Sequence, residues 1–246
     1  MIKNTIQFFD FIICLFLQAP RSWRLFTRTL TRQIVILGID SLWLIAISGI
    51  FSGMVFSIQA FLSLDRFGAG ASLSEYLPIS MYRELGPIIA GLVYTGRSGS
   101  FVATEIAALK TSGQLDCMEV MGMNLLPNIV LPRFIAVLLT FPGLVIIFNV
   151  LSIVVCYFMA KYYYNLPTVG FFENLRYVID VSFELVMTLT KAIVFALAIA
   201  ICSTYHGFYS KVNAEGVGKA ATAAVVWATF SILVLDFIVT GIMSIN

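Results

Sequence analysis

Between Ile34 and Leu64 the chain runs for about 31 residues with Asp40 as its only charge. As a straight helix that run would measure roughly 46 Å at 1.5 Å per residue. The hydrocarbon core of a bilayer is only about 30 Å thick. Few structures accept such a segment. In lipid its backbone is satisfied only inside a helix or a closed barrel. The rest of the chain is of the same kind: 60% of its 246 residues are hydrophobic and 11% are charged, against about 25% charged in soluble domains. The expectation is an all-α integral membrane protein with no room for a large soluble domain.

Because the run is too long for one straight span, a turn is expected near Gly38-Ile39-Asp40, then a first span over roughly Ser41–Leu64. Within it, Gly49-x-x-x-Gly53 offers a close-packing face. A polar loop, Asp65–Ser74, follows. A second span covers about Ile79–Leu109, with a kink or break around Glu84–Pro87 because proline removes a helix hydrogen bond. Polar residues Thr111–Gln114 close it, and Asp116–Met123 reads as a short helix. A third span covers about Phe134–Ala160, bent at Pro142-Gly143. The fourth, about Phe183–His206, holds Lys191, and the fifth, about Ala220–Met243, holds Asp236.

Ahead of these spans, Ile2, Ile6, Phe9, Ile13 and Phe16 recur at steps of three and four, the stripe of a helix lying in the membrane interface. Pro20 ends it. Arg21, Arg24, Arg28 and Arg32 then form a basic ridge, with Trp23 and Phe26 placed for headgroup depth. Asp10 and the lack of a small-x-small site before Gln18-Ala19-Pro20 argue against a cleaved leader. The chain thus divides into N-terminal interfacial amphipathic helices over 1–40 and a five-span domain over 41–246.

Lysine and arginine counts set the expected orientation. With a cytoplasmic N-terminus, the inward segments hold Lys3, Arg21, Arg24, Arg28, Arg32, Lys110, Arg133, Lys211 and Lys219, and the outer loops hold Arg66, Lys161 and Arg176. That arrangement puts Thr111–Met123 in the cytoplasm and the Arg83-Glu84 break toward the outer side.

Several chemistries are excluded. Lys110-Thr111 lacks the glycines of a phosphate loop, and Gly96-Arg97-Ser98-Gly99 does not form a nucleophile elbow. His206 is the sole histidine, so no histidine-rich metal site is expected. Cys14, Cys117, Cys156 and Cys202 show no CxxC spacing. A net charge of +2 and no basic-aromatic groove speak against nucleic acid. No enzyme activity, cofactor or metal is expected.

What remains is charge inside apolar spans, which is costly there and marks pathways or ion pairs. Arg97 and Glu105 lie eight residues apart on one helix face and read as structural ion contacts. Glu84 sits beside a proline break, where a carboxylate is tolerated facing a cavity or buried in protein. Lys191 and Asp236 each call for a buried partner. Met54, Ile58 and Phe61 share one face of the first span and can line acyl chains, with Arg83, Glu84 and Leu85 at the break beside them.

The run from Arg83 to Arg133 resembles the signature region of the MlaE-type permeases, the membrane subunits of ABC systems that work with MCE proteins. The matching residues are Arg83–Pro87, Gly96–Ser100 with Glu105, Gln114–Met121, and Pro132-Arg133. The stretches Gly49–Gln59 and Leu235-Asp236-Phe237 also resemble it, so the likeness covers about Ser48–Phe237. Departures are Gly113, where the family often has Glu, Phe101 and Thr104 in place of Ala, and Leu125 in place of Pro. The resemblance implies a phospholipid permease of the bacterial inner membrane, present as a homodimer. It also implies a separate ABC ATPase, an MCE-domain substrate-binding protein and a small cytoplasmic accessory subunit. Residues 111–123 then correspond to the coupling helix, with Gln114, Asp116, Met118, Glu119 and Met121 facing the ATPase. Gly49 and Gly53 would serve the close approach of two copies. The alternative is an ion- or proton-coupled secondary transporter with Glu84, Lys191 and Asp236 as relay groups. That class is built from inverted repeats, and the five expected spans show none. A non-transporting scaffold gives no reason for a charged break in the second span.

Overall fold

The computed structural model describes residues 7, 11, 23–66, 80–164 and 181–243. Most of the expected interfacial stripe, the stop at Pro20, most of the expected loop Asp65–Ser74 and residues 165–180 lie outside the described residues. Within them the chain is helical and contains no strand. Helix α1, Trp23–Ile34, runs through a π-turn at Val35–Ile39 into α2, Asp40–Asp65. A second helical run opens with a π-turn at Met81–Leu85 and continues as α3, Gly86–Tyr94, a π-turn at Thr95–Gly99, and α4, Ser100–Thr111. The short α5 spans Gln114–Val120. A π-turn at Leu126–Val130 leads into α6, Leu131–Phe158, which ends in another at Met159–Tyr163. Helices α7, Val181–Phe208, and α8, Ala214–Met243, complete the bundle.

Four of these helical runs are long and apolar enough to cross a membrane: Trp23–Ser63, Leu126–Tyr163, Glu184–Phe208 and Ala214–Met243. The run from Ser80 to Thr111 is also continuous helix, but Arg83, Glu84, Arg97, Glu105 and Lys110 set it apart. Helix α8 shows how the bundle divides its surfaces. Ala220, Ala224, Ala228 and Ile232 recur every four residues and are buried, whereas Trp227, Phe230 and Phe237 on the other side are exposed. A helix with small residues inward and large apolar residues outward suits a bilayer, where close backbone approach drives packing.

The core lies where α3, α6 and α7 meet, around Tyr94, Phe134, Phe141, Phe148 and Phe195. Tyr94 Oη and Thr140 Oγ1 share a hydrogen bond of 2.8 Å, which satisfies a buried hydroxyl. Two expectations fail here. No turn interrupts Gly38-Ile39-Asp40; the chain stays helical and adds one residue as a π-turn. Excess apolar length does not force a break, because continuous helix pairs nearly all its backbone groups internally and a turn in lipid would not. Gly38 serves contact instead: a Cβ there would lie 3.0 Å from Thr140 Cγ2.

The second failure concerns Gly49 and Gly53. Both face α6 of the same chain, not a second copy. A Cβ on Gly53 would meet Ser152 O at 2.7 Å, and one on Gly49 would meet Phe148 O at 3.1 Å. Ser152 Oγ donates to Gly49 O at 2.9 Å across this seam. Pro142 lies inside α6, which continues through it as helix.

Gly53→Ala is therefore expected to push α2 from α6 and cost about 1–3 kcal/mol, the range for overpacking. Gly143→Ala, whose Cβ would meet nothing within 4 Å, should be neutral or stabilising by up to about 1 kcal/mol. Thermal unfolding of the two purified variants in detergent checks the contrast; a Gly53→Ala protein that melts with the parent would show that the seam has slack.

Candidate functional site

The site begins with a backbone defect. Pro87 has no N–H to give to Arg83 O, four residues back. The Gly86 N–H reaches Met81 O instead, the five-residue bond of a π-turn, so Tyr82 O also loses its helical partner. Two adjacent carbonyls are left free in an apolar bundle, where each must find another donor. Thr188 Oγ1 donates to Tyr82 O at 3.1 Å, and Asn149 Nδ2 approaches the same oxygen at 3.5 Å. Lys191 Nζ donates to Arg83 O at 3.1 Å. Gly86 allows the approach of α6, since a Cβ there would lie 1.8 Å from Asn149 Oδ1.

Lys191 is fully buried on α7, and its ammonium is held by two carboxylates. Asp236 Oδ1 on α8 lies at 3.0 Å and Glu84 Oε2 at 3.2 Å. A buried ammonium needs this much compensation. Arg83 points elsewhere, with Nη1 3.9 Å from Glu184 Oε1 on α7. Three helical runs thus meet at one cation. Sequence reasoning grouped Glu84, Lys191 and Asp236 only as relay groups of the alternative reading, and gave Lys191 and Asp236 a buried partner each without saying that Lys191 is shared by both acids. The available signal was the charge within the last two spans: Lys191 lies deep in the fourth and Asp236 is the one charged residue of the fifth over Ala220–Met243.

Glu84 is the member that looks outward. Its side chain is 37% exposed, and it lines a cleft of about 530 Å³ with Phe56, Gln59, Ala60, Ser63 and Leu85. Two further clefts continue along α2. One of about 370 Å³ is lined by Val55, Ile58, Gln59, Leu62 and Arg66. The other, about 350 Å³, is lined by Phe51, Val55, Phe56, Gln59, Leu85 and Ile89. Gln59 borders all three. Of the lipid-lining residues expected from sequence, Ile58, Glu84 and Leu85 border a cleft. Met54, Phe61 and Arg83 are not among the lining residues, and Phe61 instead stacks on Tyr164 with ring centroids 3.7 Å apart. The lining face of α2 is rotated from the expected one, because Gly53 and Ser57 are committed to α6. Gln59, an uncharged polar residue in an apolar run, was the legible signal for it.

At the other end of the second helical run the same logic recurs. The Asp40 N–H bonds back to Val35 O, which frees Ile36 O, and Arg97 Nη1 takes it at 3.1 Å. Arg97 also donates to Ser41 Oγ, which shares a 2.9 Å hydrogen bond with Ser98 Oγ. Arg97 and Glu105 do not meet. Glu105 Oε2 pairs with Arg133 Nε at 2.8 Å and accepts from Gln33 Nε2 at 2.8 Å. Arg97 makes no ion pair among the described residues and holds the first helix by hydrogen bonds instead.

Between Glu105 and Arg133 the chain carries α5. Its N-cap is Gly113, with φ +72°, a left-handed conformation that a glutamate would strain. Gly122, with φ +74°, ends the segment. Leu115 is buried and anchors the helix, while Val120 and Met121 are 89% and 67% exposed. Gln114, Asp116 and Glu119 are exposed and Met118 is half-buried. Lys110 Nζ ties the preceding turn to Phe208 O at 2.8 Å. The result is a helix with an exposed acidic and apolar tip that has no packing partner among the described residues.

Comparison with known proteins extends this picture. A family model described as Permease MlaE matches residues 30–242. A probable ABC transporter permease protein of Rickettsia typhi is 33% identical over 219 residues, covering 89% of this chain and 84% of the relative. The intermembrane phospholipid transport system permease protein MlaE of Haemophilus influenzae is 33% identical over 214 residues, 87% of this chain and 82% of that protein. A probable ABC transporter permease protein of Pyropia yezoensis is 30% identical over 220 residues, 88% of this chain and 82% of the relative.

Replacing Lys191 by Met keeps the volume but leaves Glu84 and Asp236 facing each other without a cation. Removing one partner of a buried ion pair costs about 3–5 kcal/mol, and a loss of that size is expected. Adding Asp236→Asn to Lys191→Met should recover part of it. Melting curves of the single and double variants in detergent read the difference; equal stability of Lys191→Met and the parent would remove the cluster from the account of the fold.

Proposed function

The chain belongs to the MlaE permease family, and on that premise we propose that it is the membrane subunit of an ABC transporter that moves phospholipid between the inner membrane and the outer envelope. The observation that carries this reading is Glu84, which ties the buried Lys191 to the floor of a mostly apolar cleft. A lipid requires such a surface: extended apolar walls for the chains and a few polar groups for the headgroup. Gln59, Ser63 and Arg66 supply those groups along one side of α2.

The subunit itself performs transport and not chemistry; hydrolysis belongs to a separate ABC ATPase. The projecting α5 offers that partner Asp116 and Glu119 for charge and Met121 for adaptable apolar contact. The helical run from Ser80 to Thr111 serves as a fifth span, because Glu84 and Glu105 are paired with Lys191 and Arg133 and Arg97 is hydrogen-bonded to the first helix, which lowers the cost of charge in an apolar bundle. The chain sits in the inner membrane of a bacterial cell with α5 on the cytoplasmic side. Two copies form the working permease, served by an MCE-domain substrate-binding protein outside and a small accessory subunit inside. The dimer face follows the exposed residues of α2, such as Phe51, Val55 and Leu62, and not the glycines already packed on α6.

A photocrosslinking residue at Ile58 should capture lipid in the assembled complex, and Glu84→Lys should abolish lipid transfer between vesicles while the complex still assembles. Protein-only capture together with an active Glu84→Lys variant would place the cavity elsewhere. Glu119→Lys should keep assembly but lower complex ATPase activity, by about threefold or more if one charged contact of roughly 0.7 kcal/mol is lost; unchanged hydrolysis would remove α5 from the ATPase contact. Native mass spectrometry should give two permease copies per complex, and one copy would refute the dimer.

A further inference from the structure

The contact between Gln33, Glu105 and Arg133 has a position that its structural role alone does not require. Glu105 lies on α4, before α5, and Arg133 lies on α6, after it. Their ion pair, at 2.8 Å, closes the base of the segment that carries α5. Arg133 Nη1 also donates to Ile129 O at 2.6 Å, which binds its guanidinium to the π-turn just ahead of α6. Displacement of α5 is therefore delivered to α4 and α6 together. Gln33 then joins this base to the first helix, donating to the same Glu105 oxygen at 2.8 Å. Arg97 makes a second joint one turn further along, through Ile36 O and Ser41. The helix gripped at these two points is continuous from Trp23 to Asp65, and its far half lines the three clefts.

We infer that Gln33 and Glu105 are positioning residues that transmit displacement of α5 to the cleft-lining half of the first helix. The inference rests on the reading of α5 as the ATPase contact. Its physical warrant is rigidity. A helix transmits displacement along its axis because its hydrogen bonds resist stretching, but only if it is held at the point where force enters. Gln33 is buried, with 1% exposure, and its Oε1 has no hydrogen-bond partner among the described residues. A buried amide that makes one bond and leaves its oxygen unsatisfied is a poor stabiliser, since the orphan costs about as much as the bond gives. Leucine would fill the space without that cost. A glutamine at this place is better explained by the joint it makes than by stability.

Gln33→Leu separates the two roles. In the reconstituted complex with its ATPase, it should assemble, melt at or above the parent temperature and hydrolyse ATP at the parent rate. Lipid moved per ATP should fall about fivefold or more, within the range by which changes along a coupling chain act. Glu105→Gln, which removes the ion pair but keeps an amide for Gln33, should lose less coupling than Glu105→Ala. A Gln33→Leu complex with the parent ratio of lipid to ATP overturns the inference, as does a loss of ATPase in step with transport. Glu119→Lys serves as the control. If it lowers ATPase activity while Gln33→Leu stays coupled, only the transmission role falls; if Glu119→Lys leaves ATPase unchanged, the docking role of α5 falls and the inference falls with it.

Discussion

A carbonyl that loses its helical partner inside an apolar bundle must be bonded by something else. Much of this structure follows from that requirement. Pro87 and the π-turn before it expose Tyr82 O and Arg83 O, and α6 and α7 answer with Asn149, Thr188 and Lys191. The π-turn at Val35–Ile39 exposes Ile36 O, and Arg97 answers. The π-turn at Thr95–Gly99 displaces the Ser100 N–H to Thr95 O, and the Ser100 hydroxyl covers Gly96 O. Each defect is local, but the first two answers come from other helices. Irregular backbone thereby becomes the means by which helices are held in register, without the hydrophobic drive that soluble bundles enjoy.

The same requirement explains where charge is found. Lys191 reaches a freed carbonyl, and a lysine buried for that purpose needs anions, supplied by Asp236 and Glu84. Glu84 belongs both to this cluster and to the cleft wall. A change in cleft occupancy that altered the solvation of Glu84 would be felt at Lys191, and through it on α7 and α8. The polar groups of the second helical run therefore form two stations: one at the clefts, built on Lys191, and one near α5, built on Glu105 and Arg97. The helix of the first span runs past both.

Much of the frame was legible before any coordinates. Apolar runs set the spans, Pro87 announced a helix irregularity beside Glu84, which is a π-turn and not a break, and the polar segment after Leu109 announced a short helix, found at Gln114–Val120. Gly113 was legible only as a departure from a family pattern; its φ of +72° supplies the reason, since a left-handed N-cap favours glycine. The expected turn at Gly38–Asp40 was wrong because hydrophobic length limits how much helix lies in lipid, not how long the helix is. The assignment of Gly49 and Gly53 to a second copy was wrong for a related reason. A small-residue face announces that some backbone comes close, and nothing in the spacing says whose.

Sequence by itself determined which residues could not stay alone. Glu84, Lys191, Asp236, Arg97 and Glu105 lie in or beside apolar runs, and the energy of isolated charge in hydrocarbon obliges each to find a partner. Only the tertiary structure decided the partners. Arg97 and Glu105 share a face of one helix yet bind different neighbours, because a π-turn frees Ile36 O beside one and Arg133 comes up beside the other. Glu84 and Asp236 lie 152 residues apart in sequence and hold the same ammonium, since α7 brings Lys191 to both. Spacing along a chain reports which side chains share a face. Which face meets which depends on how helices cross, and that is set by the whole bundle at once.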